Sequence, residues 1–213
     1  MTLLYDSVTL AMHAQSAPDH EFQDTLARAA IVASMLYIEA CANCCLSLLS
    51  LTSRFSEEID RLPTGAKLDL FLRLKYKNRI LDRSRVEYQG FVELRRFRDA
   101  FVHPKAQKYE WIEWAEEESV SASPRTNLLS LPTIPSFCGP PDAAIAIRAT
   151  HIFVGHFFRD LCRMKPTSVA TLLTSYDQVP GTRSQLIPYW RSHVHAWLAR
   201  ESIDLSYIRI GKL

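Results

Sequence analysis

The sequence predicts an all-α protein, a helical bundle with a long first helix and a long irregular connection around residues 118–141. Three observations predict it. No glycine or proline falls between positions 19 and 50. A second stretch, from Ser84 to His103, has apolar residues at helical spacing and meets Pro104 as a stop. The 213 residues include only six glycines, too few for a glycine-rich nucleotide fold or a repeat-rich β-barrel, and no phosphate-loop or dinucleotide-binding motif occurs.

The first strong helix is expected to begin near Ser16, as N-cap with Asp19 three residues later, and to run to about Ser50. Such a helix spans roughly 50 Å at about 1.5 Å per residue. Its apolar residues nearly surround the axis over positions 29–38, so it needs cover on more than one side. The run from Ala29 to Leu51 is long enough to invite comparison with a membrane span. Glu39 and Asn43 interrupt it, however, and either is costly in lipid. A buried helix of a soluble core is therefore expected, with no membrane partner.

A break follows at Arg61-Leu62-Pro63-Thr64-Gly65, and residues 66–81 again show helical spacing with basic residues interspersed. Ser84 and Glu87 are spaced as a capping box for the next helix, which ends at His103-Pro104. Beyond it, Tyr109, Ile112 and Trp114 suggest a short strand or packed arm. Residues 118–141 are rich in Ser and Pro and read as a loop. Helices are expected over about 142–163, from Pro166, and after Pro188, with a turn at Pro180-Gly181. One domain accounts for the whole chain, with 16–105 as the core and 142–213 packing back on it.

The N-terminus lacks the basic region of a secretory signal, and the five cysteines show no disulfide framework. Reduced thiols in a cytoplasmic protein fit that usage. Cys41, Cys44 and Cys45 lie together without a histidine to complete a metal set, and His151, His156, His193 and His195 are not spaced to share helical faces. No metal or cofactor is expected.

Charge is distributed unevenly. The net charge is +2, yet positions 61–108 hold thirteen basic and five acidic residues. A concentrated basic surface suits a polyanion. Lys75, Lys77, Arg79, Arg95 and Lys105 are its candidate nucleic-acid contacts. Ordinary ion pairs along a solvated helix face would give the same composition.

Within this region Arg98, Asp99 and His103 have chemical content. At about 100° per residue, Leu94, Phe97 and Phe101 form an apolar stripe with Arg98 at its edge; Arg95, Asp99 and His103 adjoin it. Arg98 and His103 are about 140° apart on a regular helix and converge only if the last turn loosens, which Pro104 favours. Arginine clamps phosphate bidentately and histidine moves protons near neutral pH. With the RNA 2′-hydroxyl as nucleophile, the pair suits attack on a phosphodiester without a metal. Asp99 would orient His103 or answer the charge of Arg98. An Arg98 ion pair to a neighbouring helix and a His103 helix cap are the purely structural alternative.

The segment FVELRRFRDAFVHPK resembles the signature of the HEPN superfamily, an arginine, a polar residue and a histidine after four to six intervening positions. Arg98, Asp99 and His103 match it, with Glu93 and Pro104 flanking. The resemblance is confined to this helix; residues 118–213 carry no feature of the family. It implies an all-helical homodimer with two motifs at one cleft, and metal-independent RNA cleavage of a toxin–antitoxin or phage-defence type, with an antitoxin or other regulator as a possible partner. Some members have lost catalysis, so a silent nucleic-acid-binding dimer, or an interaction partner for an acidic protein, is the alternative expectation.

Overall fold

The computed structural model describes residues 1–77, 79–104, 111–114, 118–121, 123–174 and 187–213. The chain is all-α, as the sequence predicts. Its helices are α1 (Thr2–Ser16), α2 (His20–Ser47), α3 (Ser53–Asp60), α4 (Thr64–Lys75), α5 (Val86–Val102), α6 (Pro140–Gly155), α7 (Pro166–Thr174) and α8 (Ser192–Arg200). Two small strand pairs accompany them. Strands β1 (Trp111–Trp114) and β2 (Glu118–Ser121) are antiparallel, with Trp111 opposite Ser121; β3 (Tyr189–Trp190) and β4 (Gly211–Lys212) are parallel.

The long helix is α2, 28 residues, and it packs against α1, α4, α5, α6 and α7. Its start is corrected from Ser16 to His20. The Ser16 hydroxyl turns back to the Met12 and His13 carbonyls, and Asp19 is the cap, accepting the Phe22 N–H at 2.8 Å. Ser16 instead closes α1, which buries Leu4, Ser7, Val8, Ala11 and Ala14. By length and mean hydropathy (1.7) α2 could cross a bilayer; here it is largely covered by the other helices.

The polar interruptions of α2 have partners on neighbouring helices. Asn43 accepts a hydrogen bond from the buried Lys67 ammonium at 2.8 Å, and Lys67 also pairs with Asp60 at 2.9 Å. Glu39 faces Arg98 of α5. Burying a charge requires such compensation, and a bundle supplies it where lipid cannot.

Two further boundaries differ from the sequence expectation. The capping box at Ser84 and Glu87 does not form: Ser84 bonds Asp82, Glu87 pairs with Arg85, and α5 starts at Val86 after an uncapped Arg85. The segment 66–81 is helical only to Lys75. The connection around 118–141 contains β2 and a 3-10 turn (Pro135–Phe137), and α6 begins at Pro140, where Asp142 accepts the Gly139 N–H at 3.0 Å. Helix α6 continues into a π turn (His156–Leu161). It packs on α1, α2 and α5, and Phe153 stacks on Phe91 with ring centroids 4.6 Å apart.

Candidate functional site

The candidate residues stand on the C-terminal half of α5. Leu94 and Phe97 are buried and anchor one side of that helix. Phe101, expected on the same stripe, is 43% exposed: the stripe leaves the core in the last turn. Pro104 supplies no N–H, and the chain departs from helical geometry at His103, with φ −125° and ψ 67°.

Arg98 lies at the edge of the buried stripe with a side chain 29% exposed. Its Nη1 is 3.2 Å from Asp99 Oδ1, and its Nη2 is 3.7 Å from Glu39 Oε2. The second contact is an ion pair without hydrogen-bond geometry. Asp99 and Glu39 are themselves substantially exposed, so solvent weakens both attractions. The guanidinium therefore has edges not satisfied by the two carboxylates.

His103 is exposed, and its backbone N–H donates to the Asp99 carbonyl at 2.9 Å. Among the described residues no hydrogen bond or ion pair holds its ring. The structure thus brings Arg98 and Asp99 together and places the His103 side chain exposed at the helix end, with no partner among the described residues. Arg95, Asp99 and His103 follow one another at intervals of four, a row along one face. The Arg95 Nε is occluded and has no hydrogen-bond partner. Arg95 is thus a second guanidinium without an ion pair among the described residues, one turn before Asp99.

The other basic candidates divide. Lys75 and Lys77 are exposed. Arg79 is engaged internally: its Nη1 donates to the Leu161 carbonyl, and its guanidinium lies 5.6 Å from the centre of the Tyr76 ring. Lys105 lies outside the described residues. Arg73 pairs with Asp69 and Arg85 with Glu87, so part of the local charge excess is answered along the chain.

Glu93, one turn before Phe97, clamps the segment after β2. Its carboxylate accepts the Leu128 and Leu129 N–H groups at 3.0 and 2.9 Å. Burial alone would raise its pKa, but the Leu129 amide, the Thr126 hydroxyl and the Leu128 amide outweigh burial and hold the carboxyl below its usual range. The residue is a structural tie behind the motif helix. Glu39 was legible only as a polar interruption in α2; a charge in so apolar a run signals a partner, without identifying Arg98 as that partner.

Other titratable groups point to packing. His151 is buried, with Nδ1 2.8 Å from the Tyr207 hydroxyl, which is 3.0 Å from that of Tyr37. Burial, opposed by Asp204, lowers its pKa to about 3. His156 lies 3.0 Å from Asp160. The five cysteines are free, and burial pushes Cys162 and Cys138 up to about 12 and raises Cys41, Cys44 and Cys45. Such thiols are not poised as nucleophiles. Among the described residues no three His, Cys, Asp or Glu side chains converge as a metal set.

No family model, curated protein or solved structure matches the chain.

Proposed function

We propose that the protein is a metal-independent RNA endonuclease of the HEPN type, with Arg98 and His103 as its reacting pair and Asp99 as their neighbour. The observation that carries this reading is the end of α5. An exposed imidazole with no partner among the described residues stands where the helix opens before Pro104, five residues from a half-covered guanidinium. Arg95 and the exposed Lys75 and Lys77 supply further positive charge on the same reading.

The chemistry uses the RNA itself. His103 takes the proton from the 2′-hydroxyl, whose oxygen forms a bond to phosphorus. Arg98 stabilises the charge on the pentacoordinate centre. The bond from phosphorus to the 5′-oxygen breaks, and that oxygen takes a proton from the imidazolium of a second copy. The products are a 2′,3′-cyclic phosphate and a 5′-hydroxyl. Two copies would place two such motifs in one cleft. Leu36 one turn from Glu39, and Phe101 and Val102 one turn from Arg98, are exposed apolar side chains flanking the site, which suits an isologous contact.

A second reading has its own observation. Two carboxylates already attend Arg98, an arrangement that also suits a catalytically silent dimer binding RNA or an acidic protein regulator. One experiment separates them: incubation with structured and single-stranded RNA in the presence of a chelator. The nuclease cleaves RNA and not DNA of the same sequence, since only RNA supplies the hydroxyl. His103→Ala lowers the rate by about 10²- to 10⁴-fold, and Arg98→Lys rescues Arg98→Ala poorly because a point charge lacks the planar fork. Full activity in His103→Ala rejects the mechanism, and binding without cleavage by the wild type selects the silent reading.

A further inference from the structure

A groove of about 670 Å³ runs between α1 and α8, on elements separate from α5. Its α1 wall repeats at helical intervals from Tyr5 through Thr9 to His13, and its α8 wall from His193 through Trp197 to Arg200, with Arg191 at the entrance to α8. Its volume is that of an ordinary small-molecule pocket. Among the described residues that line it there is no carboxylate, and there are two arginines and two histidines.

The polar groups are not all spent on the fold. Arg200 is: it pairs with Glu201 at 3.2 Å and donates to Gln15, which also accepts the Trp197 indole N–H at 2.7 Å. Arg191, by contrast, has an exposed side chain with no ion pair among the described residues. The His13 and His193 rings are also exposed and without hydrogen-bond partners there. The Thr9 hydroxyl oxygen is occluded and unpartnered. At the N-terminus of α8 the Ser192 side chain already bonds the Leu213 carbonyl at 2.9 Å, so the helix end is not the source of the argument; the side chains of the groove are. Tyr5 adds a partly exposed ring, fixed edge-on against Trp190 at 5.5 Å.

We propose that this groove binds a small phosphomonoester carrying a flat ring, of which a nucleoside monophosphate is the commonest kind. Arg191 meets the phosphate with its planar fork, His13 and His193 supply further ring donors, and Tyr5 offers a face for the flat ring. An acidic lining would repel that ligand, and the described lining residues include no carboxylate. The site is independent of Arg98 and His103, so it stands or falls apart from the nuclease reading.

Titration calorimetry of the full chain at low salt tests it, with adenosine 5′-monophosphate, ribose 5-phosphate and adenosine as probes. The monophosphate binds one saturable site. Adenosine binds at least about tenfold more weakly, because it lacks the charge that Arg191 recognises. Arg191→Ala weakens the monophosphate by about tenfold or more. Tyr5→Ala weakens the monophosphate and leaves ribose 5-phosphate unchanged. Arg98→Ala binds like the wild type. The Arg191 side chain makes no hydrogen bond or ion pair among the described residues, and circular dichroism is expected to show that its alanine variant keeps the fold. Absence of saturable binding, equal affinity for adenosine, an unchanged Arg191→Ala, or loss of binding in Arg98→Ala overturns the proposal.

Discussion

Arg98 of α5 reaches across to Glu39 of α2, with Nη2 3.7 Å from Oε2, so the candidate arginine is held on its own helix by Asp99 and on the long helix by a second carboxylate. On the nuclease reading, that contact makes Glu39 a competitor for the phosphate that Arg98 would meet. Glu39→Gln removes a competing charge while keeping the shape. RNA cleavage by this variant is expected at or above the wild-type rate. Its denaturation midpoint should reflect a change within about 1 kcal/mol, as for a solvent-screened pair. A tenfold fall in rate with the fold intact would show that Glu39 positions Arg98 and does not compete for it.

Glu93 ties the segment around Leu128 and Leu129 to α5. Because its folded pKa is depressed, its contribution is present above the unfolded carboxylate pKa and lost as pH falls through the folded value. Hydrogen exchange at the Leu128 and Leu129 amides is therefore expected to be slow near neutrality, once corrected for the intrinsic rate, and to lose protection in acid. Glu93→Ala exposes the same two amides at all pH values. Unchanged protection in that variant counts against the tie.

His151 gives the opposite kind of ionisation, a base kept neutral. Its pKa falls from 6.5 to about 3 because burial penalises the imidazolium more than Asp204 favours it. The unfolded chain takes up the proton below 6.5 while the folded chain resists until about 3. Stability is thus full above 6.5 and declines across that window as pH falls, at a limiting slope of about 1.4 kcal/mol per pH unit. His151→Gln is expected to be less stable at neutral pH but to show a shallower decline in Tm between pH 6 and 4. Parallel curves for the two proteins would reject this assignment.

Lys67 has a side chain only 3% exposed, whereas its partner Asp60 is 73% exposed. Lys67→Ala loses packing and both bonds, and is expected to cost about 3 kcal/mol by urea denaturation. Lys67→Met keeps most of the volume and lets Asp60 return to water, so its cost should be about 1 kcal/mol. Equal losses for the two would show that charge, and not packing, dominates at this position.

The long helix was legible because no residue between positions 19 and 50 opposes helical geometry. Its start was not, since Ser16 and Asp19 both have capping chemistry and only the back-bond of Ser16 to Met12 and His13 decides between them. Helix α1 went unread although Leu4, Val8 and Ala11 recur at helical spacing, because threonine, serine and histidine dilute the pattern. At Ser84 the pattern of a capping box was present, but Asp82 and Arg85 are nearer competitors for its two members. In the candidate site, the half-burial of Arg98 followed from the helical angle of its position. Its contact with Glu39 did not, since that pairing depends on how two helices 59 positions apart in sequence cross.

The π turn at His156–Leu161 holds one residue more than a regular helix would fit into the same rise. Excising a single residue there would restore α-helical hydrogen bonding over the same rise, and the wider turn that seats His156–Leu161 would be lost. The six-residue turn buries both Phe157 and Phe158 and brings the Leu161 carbonyl to Arg79, and a turn one residue shorter has one side chain fewer with which to do so. Chain length is consequently fixed to the residue in this one turn, and a single-codon deletion there should damage the protein.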